Sequence, residues 1–194
     1  MAAAFPMSEV DSTGLPDART DADLVAALNA GDPSAFDTLY GRHRDWVVAL
    51  AFRFTGDRDL ALDVMQETFL YFVKKFPGFT LTAQLRTFLY PAVKNFSIAA
   101  RRKAQRLQST ESEQQHLANE PAPSAPPGET DSLTAALANL TEDHREVLLL
   151  RFVDGLSLAE IAGATDLPLG TVKSRLHHAL ATLRRDERTR GYFE

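Results

Sequence analysis

The stretch Ser157–Leu176, SLAEIAGATDLPLGTVKSRL, most constrains how this chain can fold, because it has room for two short helices, one tight turn and little else. Ser157 precedes an apolar run and Glu160 follows three residues later, a capping box that starts a helix at about Leu158. Leu158, Ile161 and Ala162 form its buried side, and Ala159, Ala162, Gly163 and Ala164 are small enough to let another helix approach closely. Asp166 stands where the chain must turn, and Asp tolerates the left-handed conformation better than most residues. Pro168 suits the first turn of a second helix, predicted from about Pro168 to Arg184. Leu169, Val172, Leu176, Leu180 and Leu183 recur at three- and four-residue steps and define its core stripe. Thr171, Lys173, Ser174, Arg175, His177 and His178 fall largely off that stripe, where they can donate to phosphates or reach base edges in a major groove. A lone amphipathic helix of this kind is an ordinary solvated face. Capping box, turn and basic second helix together point to a DNA-binding helix-turn-helix.

A net charge of −5 over 194 residues looks wrong for a DNA binder until its distribution is followed. Arg101, Arg102, Lys103 and Arg106 make residues 99–108 basic, whereas Glu111, Glu113, Glu120, Glu129 and Asp131 make 109–131 acidic. Residues 132–167 are acidic again and 168–194 basic, so basic elements alternate with acidic ones. Local phosphate contacts, not the total, set nonspecific affinity. The absence of cysteine excludes a disulfide framework and a thiolate metal site, and the apolar fraction of 44% supports real cores. No apolar run approaches membrane-spanning length and the N-terminus lacks a signal-peptide pattern, so a cytoplasmic protein without membrane insertion is expected.

The pattern is all-α: two small helical domains joined by a flexible linker, the C-terminal one a helix-turn-helix. Residues 1–19 read as a mobile tail, 20–104 as the first domain, 105–131 (with PAPSAPPGET) as the acidic, Pro-rich linker, 132–188 as the second domain and 189–194 as a tail. Thr20 with Asp23 caps a first helix that Gly31 ends; Asp32-Pro33 starts a second, Gly56 breaks it, and Asp57 caps a third. Trp46 reads as core. In the third helix Ala61, Val64, Met65, Thr68, Phe69, Phe72 and Phe76 form a buried face, while Asp63, Gln66, Glu67, Leu70 and Lys74 share another. By itself that polar stripe is a solvated surface with one stray leucine. Further on, Phe76, Phe79, Phe88, Tyr90 and Phe96 lie among Lys74, Lys75, Arg86, Lys94, Arg101 and Arg102, an interleaving that suits unstacked bases. Phe88 and Phe96 read better as core, and Asn95, Arg101 and Arg102 can share one side of a helix facing a duplex.

DVMQETF in the first domain, with LTEDHREVLLLRFVDGLSLAEIAGATDLPLGTVKSRLHHAL in the second, resembles the bacterial sigma factors of the extracytoplasmic-function (ECF) class, over residues 20–104 and 132–186. The resemblance implies an alternative sigma factor that binds core RNA polymerase and directs it to promoters. It makes Asp63, Gln66, Glu67 and Leu70 the stripe that docks on the clamp helices of the beta prime subunit. It implies that the loop Thr80–Gln84 (Thr80, Thr82, Gln84) captures a base flipped from the minus-ten element, and that Lys94, Asn95, Arg101 and Arg102 hold that element from the following helix. The helix-turn-helix would read the minus-thirty-five element and sit on the beta flap, and the acidic linker would thread toward the RNA exit path, mimicking nucleic acid. An anti-sigma factor is a further implied partner; no cofactor or metal is.

The chain departs from the family pattern at several places. Leu81, Thr82 and Ala83 replace a Gly-Asp-type step; Phe88 stands for a usual Trp, Pro91 for an Arg and Ala99 for an Asp; Asp166 stands for a frequent Gly and Thr141 for a Pro. Pro91 inside a helix removes a donor and clashes with the Thr87 carbonyl, costing about 3 kcal/mol, so a kink or break near Tyr90 is expected. Two other classes compete. A helix-turn-helix regulator acting without being a sigma subunit needs a receiver or ligand domain in residues 20–104, and the pattern shows neither. An enzyme needs a site, and His43, His116, His144, His177 and His178 form no metal-ligand spacing, nor is there a nucleophile motif or phosphate-binding loop.

Overall fold

The computed structural model describes residues 17–112 and 129–192. Among them the chain is helical throughout, with no strand: α1 (Asp21–Asn29), α2 (Ser34–Thr55), α3 (Arg58–Val73), α4 (Leu85–Ser112), α5 (Glu129–Ala138), α6 (Glu142–Phe152), α7 (Leu158–Thr165), α8 (Leu169–Arg185) and a closing 3-10 turn (Arg190–Tyr192). Local chemistry sets most boundaries. Thr20 and Asp23 form a reciprocal capping box on α1, and Ser157 and Glu160 form another on α7. Gly56 ends α2 at φ 69°, and the Asp57 carboxylate then accepts from the backbone N–H groups of Asp59 and Leu60. Asp166 closes α7 in the left-handed conformation the turn requires, at φ 55°.

Helices α1–α4 bury Leu24, Leu39, Val47, Leu50, Val64, Phe72, Leu85, Leu89 and Val93 among themselves. In the second domain Ala136, Leu140, Leu148, Ala179 and Leu183 form a small core of their own. Val147, Leu150, Leu156, Ile161, Ala164 and Val172 belong instead to the same apolar cluster as α1–α4. The two domains therefore share a core. The small residues of α7 do admit a second helix, as their size predicts, and it is α4: a Cβ placed on Gly163 would lie 3.9 Å from Thr87 Cγ2.

Four expectations need correction. The N-terminal tail does not extend to residue 19, because Arg42 donates to the Asp17 carbonyl and Arg19 bridges the Asp17 and Asp32 carboxylates. Residues 105–112 continue α4, and α5 begins at Glu129, so the linker is shorter than its composition implies. Glu113 and Glu120 of that acidic stretch lie outside the described residues. Helix α4 also runs through Pro91 unbroken. The side chains bracketing it, Leu85, Leu89, Tyr90 and Val93, are all buried; at about 1.5–3 kcal/mol each they outweigh the proline penalty. Finally Leu169, assigned to the α8 core stripe, is exposed, and Ala179 is buried on the stripe instead.

Candidate nucleic-acid interface

On α8, the buried side of Val172, Ala179 and Leu183 turns the opposite face outward. Lys173, Ser174, His177 and His178 are exposed there, and Thr171 is half-buried. The His178 ring stacks on His144 at 5.9 Å and meets His177 at 5.7 Å. Arg175 is held rather than free: its Nη2 lies 2.6 Å from Asp143 Oδ2, and its side chain is only 23% exposed. Asp143 belongs to the first turn of α6 and was not singled out from the sequence.

The candidate minus-ten residues spread from the loop before α4 along that helix as far as Arg102. Thr80, Thr82 and Gln84 are exposed on the loop before it. Asn29, at the end of α1, fixes the base of that loop: its Oδ1 accepts from Gly78 N–H and its Nδ2 donates to the Phe79 carbonyl, both at 2.7 Å. Nothing local marks Asn29 for this role, since its partners lie some fifty residues away in sequence. Beneath the loop the aromatics pack on one another, Phe79 against Phe88 at 4.6 Å and Phe72 against Phe76 at 5.2 Å, so they build the site more than they face solvent. An open groove of about 690 Å³ remains between the loop and α4, lined by Tyr71, Phe88, Pro91 and Asn95, and also by Gly163 from α7. Asn95, Arg101 and Arg102 are exposed along α4.

Lys94 is engaged with the second domain. Its ammonium pairs with Glu146 Oε1 of α6, and the same oxygen accepts from the Tyr90 hydroxyl. Burial, reinforced by that carboxylate, pushes the Tyr90 phenol far above its ordinary value, so it stays a donor. Tyr90, expected among the base-facing aromatics, is in fact fully buried. A second tie lies close by. Asp154, in the turn after α6, accepts from Trp46 Nε1 at 2.7 Å and from Arg53 Nη2 at 2.8 and 2.7 Å; its side chain is 2% exposed. Arg86 donates to the Asp154 carbonyl and lies over the Trp46 ring at 5.4 Å. Trp46 is thus a half-buried seam residue rather than plain core. No motif in the sequence marks Glu146 or Asp154 for these ties, whose partners lie more than fifty residues away.

The third set stands apart on α3. Asp63, Gln66, Glu67 and Leu70 are all exposed, Leu70 by 60%, while Ala61, Val64, Met65, Thr68, Phe69 and Phe72 on the other face are buried.

Two helical domains, the second a helix-turn-helix, with basic groups on both and a polar-apolar stripe on α3, are the arrangement that the resemblance to sigma factors implies. Family models agree: sigma-70 region 2 matches residues 39–107 and sigma-70, region 4 matches residues 130–183. The chain is 33% identical to the ECF RNA polymerase sigma factor SigL of Mycobacterium tuberculosis, covering 82% of this chain and 93% of that one. It is 30% identical to the ECF RNA polymerase sigma-E factor of Haemophilus influenzae (82% and 91% covered) and 25% identical to SigW of Bacillus subtilis (84% and 95%). Among solved structures, CnrH in complex with the cytosolic domain of CnrY shares the fold at a TM-score of 0.60 and 24% identity, covering 84% of this chain and 93% of that one. The sigma factor RpoE of Bartonella quintana, solved with the anti-sigma factor NepR, does so at 0.56 and 24%, covering 77% and 94%. The chain belongs to the ECF sigma factors of the sigma-70 family.

Proposed function

We propose that this alternative sigma factor docks on the beta prime clamp helices through Asp63, Gln66, Glu67 and Leu70, and on the beta flap through its second domain. Thr171, Lys173, Ser174, Arg175, His177 and His178 then face the minus-thirty-five duplex. Thr80, Thr82, Gln84, Lys94, Asn95, Arg101 and Arg102 face the minus-ten element, with a flipped base seated in the groove under the 80–84 loop. The observation that carries this reading is the exposure of the α3 stripe and of the α8 polar face on one chain of this family. The chain's part is binding and positioning: unstacking a base costs a few kcal/mol, which trapping it in a pocket offsets. Catalysis stays with the polymerase, in the cytoplasm. Among the described residues no helix is long and apolar enough to cross a membrane. An anti-sigma factor that covers these faces is proposed as a partner, since a related sigma factor was solved with one. Run-off transcription with core polymerase on a randomised promoter library tests the reading. Two short elements at fixed spacing are expected to enrich; no enrichment, with the protein still binding DNA alone, would make it a helix-turn-helix regulator.

A further inference from the structure

Three imidazoles meet where the first turn of α6 lies against α8. The His178 ring stacks on His144 at 5.9 Å, with 23° between the planes, and meets His177 at 5.7 Å. His177 and His178 are exposed and His144 is half-buried, so the cluster opens to solvent on the polar face of α8. Glu142 and Asp143 share the first turn of α6 with His144, and Lys173 and Arg175 stand about a turn before the ring pair on α8. Asp143 is taken up by Arg175 at 2.6 Å. Arg145, next on α6, turns its guanidinium to the carbonyls of Leu137, Ala138 and Leu140. Among the described residues the only histidine paired with a carboxylate is His43. No group of three or more His, Asp or Glu among them is placed to hold a metal ion either. The cluster is thus a set of donors facing solvent without an anion of its own.

We propose that His144, His177 and His178 form a seat for a backbone phosphate of the promoter duplex, occupied with uptake of protons. The assignment rests on the reading of α8 as the helix that faces DNA, and it adds His144, from a helix outside the helix-turn-helix, to that surface. A charged imidazole donates from both ring nitrogens, and phosphate oxygens accept. An anion laid across the rings favours their charged form, so the bound chain holds these protons to a higher pH than the free chain. The extra affinity is therefore fully present below the ordinary imidazole value of about 6.5 and is lost as pH rises above it.

Anisotropy of a fluorescent, mixed-sequence DNA duplex with the full chain, at constant ionic strength, tests the seat. Wild-type affinity is expected to rise about tenfold from about pH 8 to about pH 6. His144→Gln should roughly halve that rise on a logarithmic scale, and His144→Gln/His178→Gln should reduce it to about twofold or less. His144→Lys carries a fixed charge, so at about pH 8 it should bind several-fold more tightly than wild type. His43→Gln, at a position buried in the first domain, should keep the wild-type slope. A flat wild-type profile, a wild-type slope in His144→Gln or in the double variant, or a slope lost equally in His43→Gln overturns the proposal. Lys173→Ala tests α8 separately and should weaken binding at both pH values. If it does not, the DNA-facing reading of α8 falls and the phosphate seat with it. Weaker binding by Lys173→Ala beside unaltered slopes in the histidine variants would remove the seat and leave α8 facing DNA.

Discussion

Asp154→Ala should open the seam, and the structure sets the size of the effect. The carboxylate is 2% exposed, makes two contacts to Arg53 Nη2 and one to Trp46 Nε1, and has both partners in the other domain. Removing one member of a fully buried pair costs about 3–5 kcal/mol, mostly from the charge left behind. Arg53 is 25% exposed and can recover part of its hydration, which reduces that to about 2 kcal/mol. The orphaned indole N–H adds about 1 kcal/mol. Both losses vanish when the domains part, because water then satisfies Arg53 and Trp46. The whole sum, about 3 kcal/mol, therefore shifts the closed–open equilibrium by roughly a hundredfold. Trp46 is the sole tryptophan, so its emission reports the seam directly. A red-shifted maximum and stronger acrylamide quenching are expected in Asp154→Ala. Asp154→Asn, which keeps an acceptor for the indole but loses the charge, should fall between that variant and wild type. Asp143→Ala removes an ion pair within the second domain and should leave emission unchanged. Wild-type emission from Asp154→Ala would refute the account.

Leu70→Asp should leave thermal stability within about 0.5 kcal/mol of wild type, because Leu70 is mostly exposed, yet weaken a core polymerase pull-down at least tenfold. Arg175→Ala should cost a cognate promoter about 1–3 kcal/mol and random DNA less; equal losses in fluorescence anisotropy would reduce Arg175 to a phosphate contact. Asp143→Ala should tighten both, by releasing Arg175. Burial, only partly countered by the Asp21 carboxylate 2.7 Å away, holds His43 below its ordinary 6.5, with Arg86 and Arg42 adding to the depression. The unfolded chain then takes up the proton first, so stability present above pH 6.5 is lost as pH falls through that value. The urea midpoint should drop from about pH 8 to about pH 5.5, and the drop should flatten in His43→Gln.

What the sequence made legible was local. Ser157 with Glu160, Thr20 with Asp23 and Asp57 at α3 act within three residues of themselves, and all three cap their helices. The left-handed Asp166 follows from the same short-range geometry. The buried and exposed faces of α3 were readable because a 3.6-residue period separates them cleanly. The seam was not readable: Asp154 and Trp46 are 108 residues apart, and an acid before Gly155 looks like any turn residue. The small face of α7 announced a close neighbour but could not say which helix. The overlong linker has a different cause. Residues 105–112 change composition without containing Gly or Pro, so nothing in them stops α4.

Among the nominated minus-ten residues Lys94 is engaged across the seam, whereas the α3 stripe lies clear of it, and that difference bears on the order of events. Asp63, Gln66, Glu67 and Leu70 are exposed while Lys94 and Arg53 are engaged across the seam. On the proposed reading, docking on the clamp helices through α3 requires no opening, whereas bringing Lys94 onto the minus-ten strand does. A partner that binds only the parted chain loses apparent affinity in proportion to the parted fraction; a partner that reads α3 alone loses none. On the proposed reading the polymerase meets the closed chain first. The free energy that parts the domains then comes from contacts made only in the parted state, those of the flap and the promoter. A Thr87→Cys/Gly163→Cys protein, oxidised to cross-link α4 to α7 where a Cβ on Gly163 would lie 3.9 Å from Thr87 Cγ2, separates these steps. It should bind an isolated clamp-helix fragment within about twofold of its reduced form, yet fail to open promoter DNA in permanganate footprinting until reduced. Loss of clamp-fragment binding on oxidation would mean that the seam also governs α3, and the proposed order would be wrong.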